Sequence, residues 1–224
     1  MGKITTFTPE ELAVLSRRPS QVVRDKIAAT GSEEALAAFD ALVESYMSNH
    51  DMFITWITYA MSAAYDGGAE EKLTEYMLDM FRPFTPTEDF WNLPFKQRVL
   101  ISLSGFRDCH DCDIEFLDED DEKLRFKMVA CGSGGKLCKM GLYRPEGKCS
   151  RCSASNITAG RDNFPIYCIH SPIFSIACGD RYPSHVWDFA EDVGPEACVI
   201  SCYKDPTKIP DKYFERVGLK KPQR

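Results

Sequence analysis

The sequence predicts an α+β protein in which a helical N-terminal layer or bundle packs on an antiparallel sheet and a Cys-rich segment binds metal. Three observations carry that expectation. About the first hundred residues show helix punctuation with apolar side chains at three- and four-residue spacing, and residues 113–130 alternate apolar and polar. All ten cysteines fall at or after Cys109. The chain thus reads as a helical region over 1–106 and a Cys-rich α+β region over 107–224 that share one core.

The elements follow in order. Thr8-Pro9-Glu10-Glu11 is a capping box, with Pro9 suited to the first helical position. Ser32 caps a helix over 33–48, and Gly67-Gly68 ends another over 51–66. This last helix aligns Phe53, Trp56, Ile57, Ala60, Met61 and Ala64 in one stripe, which marks it as the central core helix. The following helix repeats the spacing with Leu73, Tyr76, Met77, Met80 and Phe81, and Thr85-Pro86-Thr87-Glu88 repeats the capping grammar.

Near Gly105 the character changes. Ile114 and Phe116, an acidic turn over 118–122, and Leu124, Phe126 and Met128 form a hairpin. Residues 132–161 are rich in Gly, Ser, Lys and Cys without periodicity, and so long an irregular segment needs a local organiser. A strand over 164–170, a short helix over 173–178 ended by Gly179, and strands over 185–189 and 197–203 joined across Gly194-Pro195 complete the chain.

With 224 residues the chain can bury a core without disulfides, and its 44% hydrophobic and 27% charged composition is that of a globular protein. A net charge of -7 argues against broad affinity for nucleic acid. The basic tail with Lys220, Lys221 and Arg224 reads as a solvated terminus. Met1-Gly2 fits a loose acylation pattern but is commonplace, and no apolar run has the length of a signal peptide or membrane span. A cytoplasmic protein with reduced thiols and no membrane partner is expected.

Cysteine placement carries the candidate chemistry. Cys109-His110-Asp111-Cys112 and Cys149-Ser150-Arg151-Cys152 are CxxC pairs, a spacing that aims two thiolates at one metal. Fifteen residues separate Cys152 from Cys168, and His170 lies two positions further on. On a strand these two would share a face. Two metal sets compete. Cys149, Cys152, Cys168 and His170 would make a closed structural site; Cys131, Cys168 and His170, with Cys198 as a fourth, would leave an open catalytic position. Thiolate plus imidazole suits zinc, with iron or an iron–sulfur cluster as the runner-up. Cys131 is singled out because it ends a strand and precedes Gly132-Ser133-Gly134-Gly135, a loop whose amides can approach a thiolate or anion. Cys138, Cys178 and Cys202 read as buried thiols.

In a separate reading Cys168 is a nucleophile and His170 its base. His50, one turn before Phe53, is either a second ligand or base, or a satisfied first-turn histidine. His110 and His185 carry no spacing argument beyond lying near cysteines. The pocket is expected between the helix bearing His50, Phe53 and Trp56 and the sheet end bearing Cys131, Cys168 and His170. The leading functional expectation is a metal-dependent hydrolase or lyase acting on a small organic molecule. A non-catalytic small-molecule-binding or structural zinc module competes with it, as does a redox protein using its CxxC dithiols or an iron–sulfur cluster.

Over 164–204 the order Tyr167-Cys168-Ile169-His170, Cys178-Gly179, an acidic strand and Gly194-Pro195-Glu196-Ala197-Cys198 resembles the C-terminal part of the 4-vinyl reductase and aminothiazoline-carboxylate hydrolase-like group. The resemblance implies an α+β fold with helices over an antiparallel sheet and a pocket for a small organic ligand. It also implies kinship with enzymes that open a sulfur-containing ring. The Cys131 loop and the Cys149 pair have no counterpart in that pattern.

Overall fold

The computed structural model describes residues 3–143 and 148–223. Met1-Gly2 of the acylation pattern, Arg224 of the basic tail and residues 144–147 of the irregular segment lie outside the described residues. The helical layer comprises α1 (Pro9–Leu15), α2 (Pro19–Ala28), α3 (Glu33–Asp66), α4 (Glu70–Phe81), α5 (Glu88–Asn92) and α6 (Phe95–Leu103). A π turn over Ser104–Asp108 leads to β1 (Ile114–Glu119) and β2 (Lys123–Met128). Then come α7 (Gly134–Lys139), β3 (Arg151–Cys152), β4 (Phe164–Pro165), α8 (His170–Cys178), β5 (Val186–Asp188), β6 (Val199–Tyr203) and α9 (Lys212–Glu215). The main sheet runs β1-β2-β6-β5, antiparallel throughout, and β3 pairs with β4 apart from it. The α+β class and both expected hairpins are present.

Alternation sorts the sheet residues by face. Ile114, Phe116, Leu124, Phe126 and Ile200 are buried in one cluster with Phe7, with Val99 and Leu103 of α6, and with Phe174 of α8. Val186 and Tyr203 belong to a second cluster with Ile209, Tyr213 and Phe214 around α9. Arg98 ties α6 to the end of β6 by donating to the carbonyls of Tyr203 (3.2 Å) and Lys204 (2.7 Å).

The capping box at Thr8 forms as expected. The second capping motif does not. Here α5 begins only at Glu88 with Thr87 before it, and the Thr85 hydroxyl donates instead to the Arg82 carbonyl at 2.8 Å. The helices expected over 33–48 and 51–66 are one helix, α3, of 34 residues, since Asn49-His50-Asp51 contains neither Gly nor Pro to break it.

The stripe expected to form the centre of the core is split: Met61 is buried, whereas Phe53, Trp56, Ile57 and Ala60 face outward. Phe53 is 52% exposed and Trp56 67%, while Ile54, Thr58, Met61 and Ser62 are buried. The irregular segment lies on α3, where Ser62 Oγ accepts from the Ser150 amide (3.0 Å), Tyr65 Oη from the Ser153 amide (3.1 Å) and Asp66 from the Ser150 hydroxyl. The Ser62 and Tyr65 side of α3 thus faces that segment and supplies its amides with partners. The organiser of the irregular segment is therefore a helix face and the β3–β4 pair. On α4 likewise, Met77 is buried but Tyr76 and Met80 are exposed.

Residues 164–170 are not one strand. β4 stops at Pro165, which has no amide to continue a ladder, and the chain passes through a 3₁₀ turn over Ile166–Ile169 into α8. Gly179, with φ 60°, ends α8 where expected.

Candidate functional site

A cavity of about 410 Å³ opens between α3, α4 and α8 on one side and the β2 and β5 ends of the sheet on the other. Its walls are mostly apolar: Met61, Met77, Phe81, Met128, Phe174 and Trp187 contribute. Set among them are three of the four histidines, His110, His170 and His185, and the thiols of Cys131, Cys168 and Cys198. Among the described residues Glu196 is the sole charged one in the lining. The expected pocket position is thus close to the observed one, except that Ile57 and Met61 represent α3 in place of Phe53 and Trp56.

The glycine loop before α7 brings the thiols close. A methyl at Gly135 would sit 2.6 Å from Cys131 Cβ and 2.7 Å from the Gly194 carbonyl oxygen, and one at Gly132 would sit 2.6 Å from His110 Cβ. Gly134 abuts the sulfur of Cys168, and Gly194 that of Cys138. These glycines are needed for close packing against cysteine and histidine side chains.

The imidazoles are ordered by what their Nδ1 atoms touch. Lys136 Nζ lies 2.6 Å from Asp51 Oδ1. Burial alone would raise the Asp51 carboxyl, but hydrogen bonds from Lys136 and His50 outweigh it and hold the group below its ordinary value. An ionised carboxylate only accepts, so His50 Nδ1 donates to Asp51 Oδ1 at 3.0 Å. His50 Nε2 then accepts from His110 Nδ1 at 2.8 Å. These tautomers follow from the network and leave His110 Nε2 with its lone pair. His170 Nδ1 donates to the Tyr167 carbonyl at 2.6 Å, which frees its Nε2 likewise.

His185 differs from both. Its Nδ1 contacts Ser184 Oγ at 2.9 Å, its ring stacks on Phe174 at 5.3 Å, and its buried Nε2 has no hydrogen-bond partner among the described residues. Burial pushes its pKa down to about 3. Burial, then His50 and His170, lower that of His110 to about 4, and burial lowers that of His170 as well. All three rings are neutral at pH 7. Cys168 is held as a thiol: burial, then the neighbouring Cys131, Cys198 and Cys138, raise it well above its ordinary value.

The residues proposed from sequence are only partly brought together. Cys131, Cys168, His170 and Cys198 line one cavity, and His50 reaches it through His110. Cys149 packs beside Ile54, Leu137 and Leu142, whereas Cys152 is buried with Met61, Ile157 and Phe164. Burial raises both thiols, Cys152 to about 12, and the two side chains pack into different clusters. In the other pair Cys109 is exposed and Cys112 is buried with its sulfur donating to the Phe106 carbonyl at 3.3 Å. Asp111 between them accepts from the Ser20 amide at 2.8 Å, which caps α2.

With Cys168 in a 3₁₀ turn and His170 starting a helix, they lose the shared face of a strand pair. Among the described residues no group of three or more His, Cys, Asp or Glu side chains converges to hold a metal ion. Among the described residues the expected zinc or iron–sulfur ligand sets are therefore not brought together. No helix among the described residues is long and apolar enough to cross a membrane.

Sequence reasoning passed over His110 and His185. For His185 a signal existed, because it alternates with Trp187 and Phe189 and so shares their inward face. For His110 none did: its partner is sixty positions away on α3. No family model matches the chain, and no curated protein or solved structure shows significant similarity to it.

Proposed function

We propose that the chain is a small-molecule-binding protein whose cavity takes a compact, neutral organic molecule carrying one or two polar atoms. The observation that carries this reading is the set of neutral imidazoles in an otherwise apolar cavity, with the His185 Nε2 unpartnered. A buried polar atom left unpaired costs about 1–3 kcal/mol, which a ligand atom bonded to it recovers. Among the described residues no Lys or Arg lines the cavity, so a carboxylate would enter without a counter-charge from them. His110 and His170 offer lone pairs and select for N–H or O–H groups.

A second reading is favoured by the Asp51–His50–His110 chain: hydrolysis or elimination on the bound molecule, the chemistry implied by the resemblance to ring-opening enzymes. His110 Nε2 takes a proton from water while the water oxygen bonds to an electrophilic carbon. The positive charge on the paired imidazoles faces the Asp51 carboxylate, and the proton then passes to the departing heteroatom.

Thermal shift and native mass spectrometry with neutral five- and six-membered heterocycles, beside their carboxylate derivatives, test the binding reading. Neutral rings should stabilise the protein and carboxylates should not, and His185→Phe should weaken binding about 10-fold. Equal response to both classes, or binding indifferent to His185→Phe, contradicts it. Turnover abolished by His110→Gln with binding retained would establish the second reading.

A further inference from the structure

We infer that this chain forms a two-fold dimer through the outward faces of α3 and α4, with the second copy closing the mouth of the cavity. Residues 52–65 of α3 contain no Asp, Glu, Lys or Arg on any side of the helix. A helix apolar all round is a buried helix, yet among the described residues this one is covered on one side only. Its outward side carries Met52 (58% exposed), Phe53 (52%), Trp56 (67%) and Ile57 (43%), with Tyr76 (61%) and Met80 (52%) of the adjacent α4. From ordinary side-chain areas these six offer on the order of 700 Å² of largely apolar surface, close to the ~800 Å² per partner of a stable dimer.

The order of large and small residues commits this surface to a copy of itself. Bulky Phe53 and Trp56 lie toward the N-terminal end of the face, and Ala60 and Ala63, both exposed, toward its C-terminal end. Two such helices crossing antiparallel near Thr58 set Trp56 of each copy against Ala60 of the other and Phe53 against Ala63. A two-fold axis makes both matches at once, as a self-complementary interface requires. Ile57 and Met80 belong to this exposed face and also line the cavity. The partner's α3 therefore completes the cavity wall.

Sedimentation equilibrium of the purified chain, with Ala60→Arg and Trp56→Asp beside it, tests the inference. The expected result is a dimer at micromolar concentration whose dissociation constant rises about 100-fold or more in either variant, with helical circular dichroism unchanged, because both side chains are exposed in the single chain. A monomer at 100 micromolar, or a dimer indifferent to both substitutions, overturns it. So would a monomer that sediments with neutral phosphatidylcholine vesicles through Trp56, since the face would then meet lipid. Binding of small molecules can fail without affecting this outcome.

Discussion

Two helices of this protein treat apolar side chains in opposite ways. Of the nine residues of α8, seven are buried, because the helix lies between the sheet on one side and α4 with the irregular segment on the other. Of the 34 residues of α3, four are buried, and its largest aromatic side chains face solvent. Both are rich in apolar residues. The sheet side is finished within one chain and concentrates its neutral histidines there, whereas the helical layer carries a second apolar face that one chain leaves uncovered. Apolar spacing alone identifies a helix but does not say which of two apolar faces the chain itself will bury.

The largest expected break between the two regions comes with acid. His185 and His110 have folded values of about 3 and about 4, against an ordinary 6.5. A depressed histidine binds its proton more readily when unfolded, so its contribution is intact above pH 6.5 and is lost as the pH falls toward the folded value. Urea unfolding should show stability falling by on the order of 5 kcal/mol between pH 7 and pH 4, and His185→Phe should flatten that slope. An unchanged slope in the variant would remove His185 from the cause.

Phe174→Ala should cost about 3–5 kcal/mol, since Phe174 is 8% exposed beneath the His185 ring. In an Ala60→Arg background, where only one chain is measured, Trp56→Ala should change stability by less than about 0.5 kcal/mol. Similar losses at both positions would erase the distinction between the helices. Within the cavity wall, Gly135→Ala should destabilise by about 1–3 kcal/mol through the contact with Cys131 Cβ, while Gly105→Ala, with nothing within 4 Å of the added methyl, should be neutral or better. Smallest is the effect of His185→Phe at pH 7. Removing an unpaired buried nitrogen should raise the melting temperature by a few degrees, equivalent to about 1 kcal/mol, in protein free of ligand.

Much of the sheet side was legible in the sequence. Ile114, Phe116, Leu124, Phe126 and Met128 announce their hairpin by strict alternation, and Gly194-Pro195 its neighbour. Local grammar of that kind depends only on residues close in sequence. The orientation of α3 was not legible, because the segment that packs on its Ser62 and Tyr65 side, through the Ser150 and Ser153 amides, lies some ninety positions further along the chain. The same distance effect hid the Asp51–His50–His110 chain. The cysteine pattern pointed to residues of which Cys131, Cys168 and Cys198 line the cavity and the Cys149 pair does not. Cys149 and Cys152 enter different clusters, and the glycines beside Cys131 serve close packing of thiols.

The chemistry assigned to the cavity rests on the state of its imidazoles, and four histidines are few enough to assign one by one. Side-chain ¹⁵N–¹H correlation spectra recorded from pH 7.5 to pH 4.5 read that state directly. Rings at His110 and His185 should stay neutral at pH 5, with Nδ1 protonated in His50, His110 and His170 at pH 7.5. Titration of His185 and His110 near pH 6.5, or protons on Nε2 of His50 and His110, would contradict the relay and the neutral cavity together.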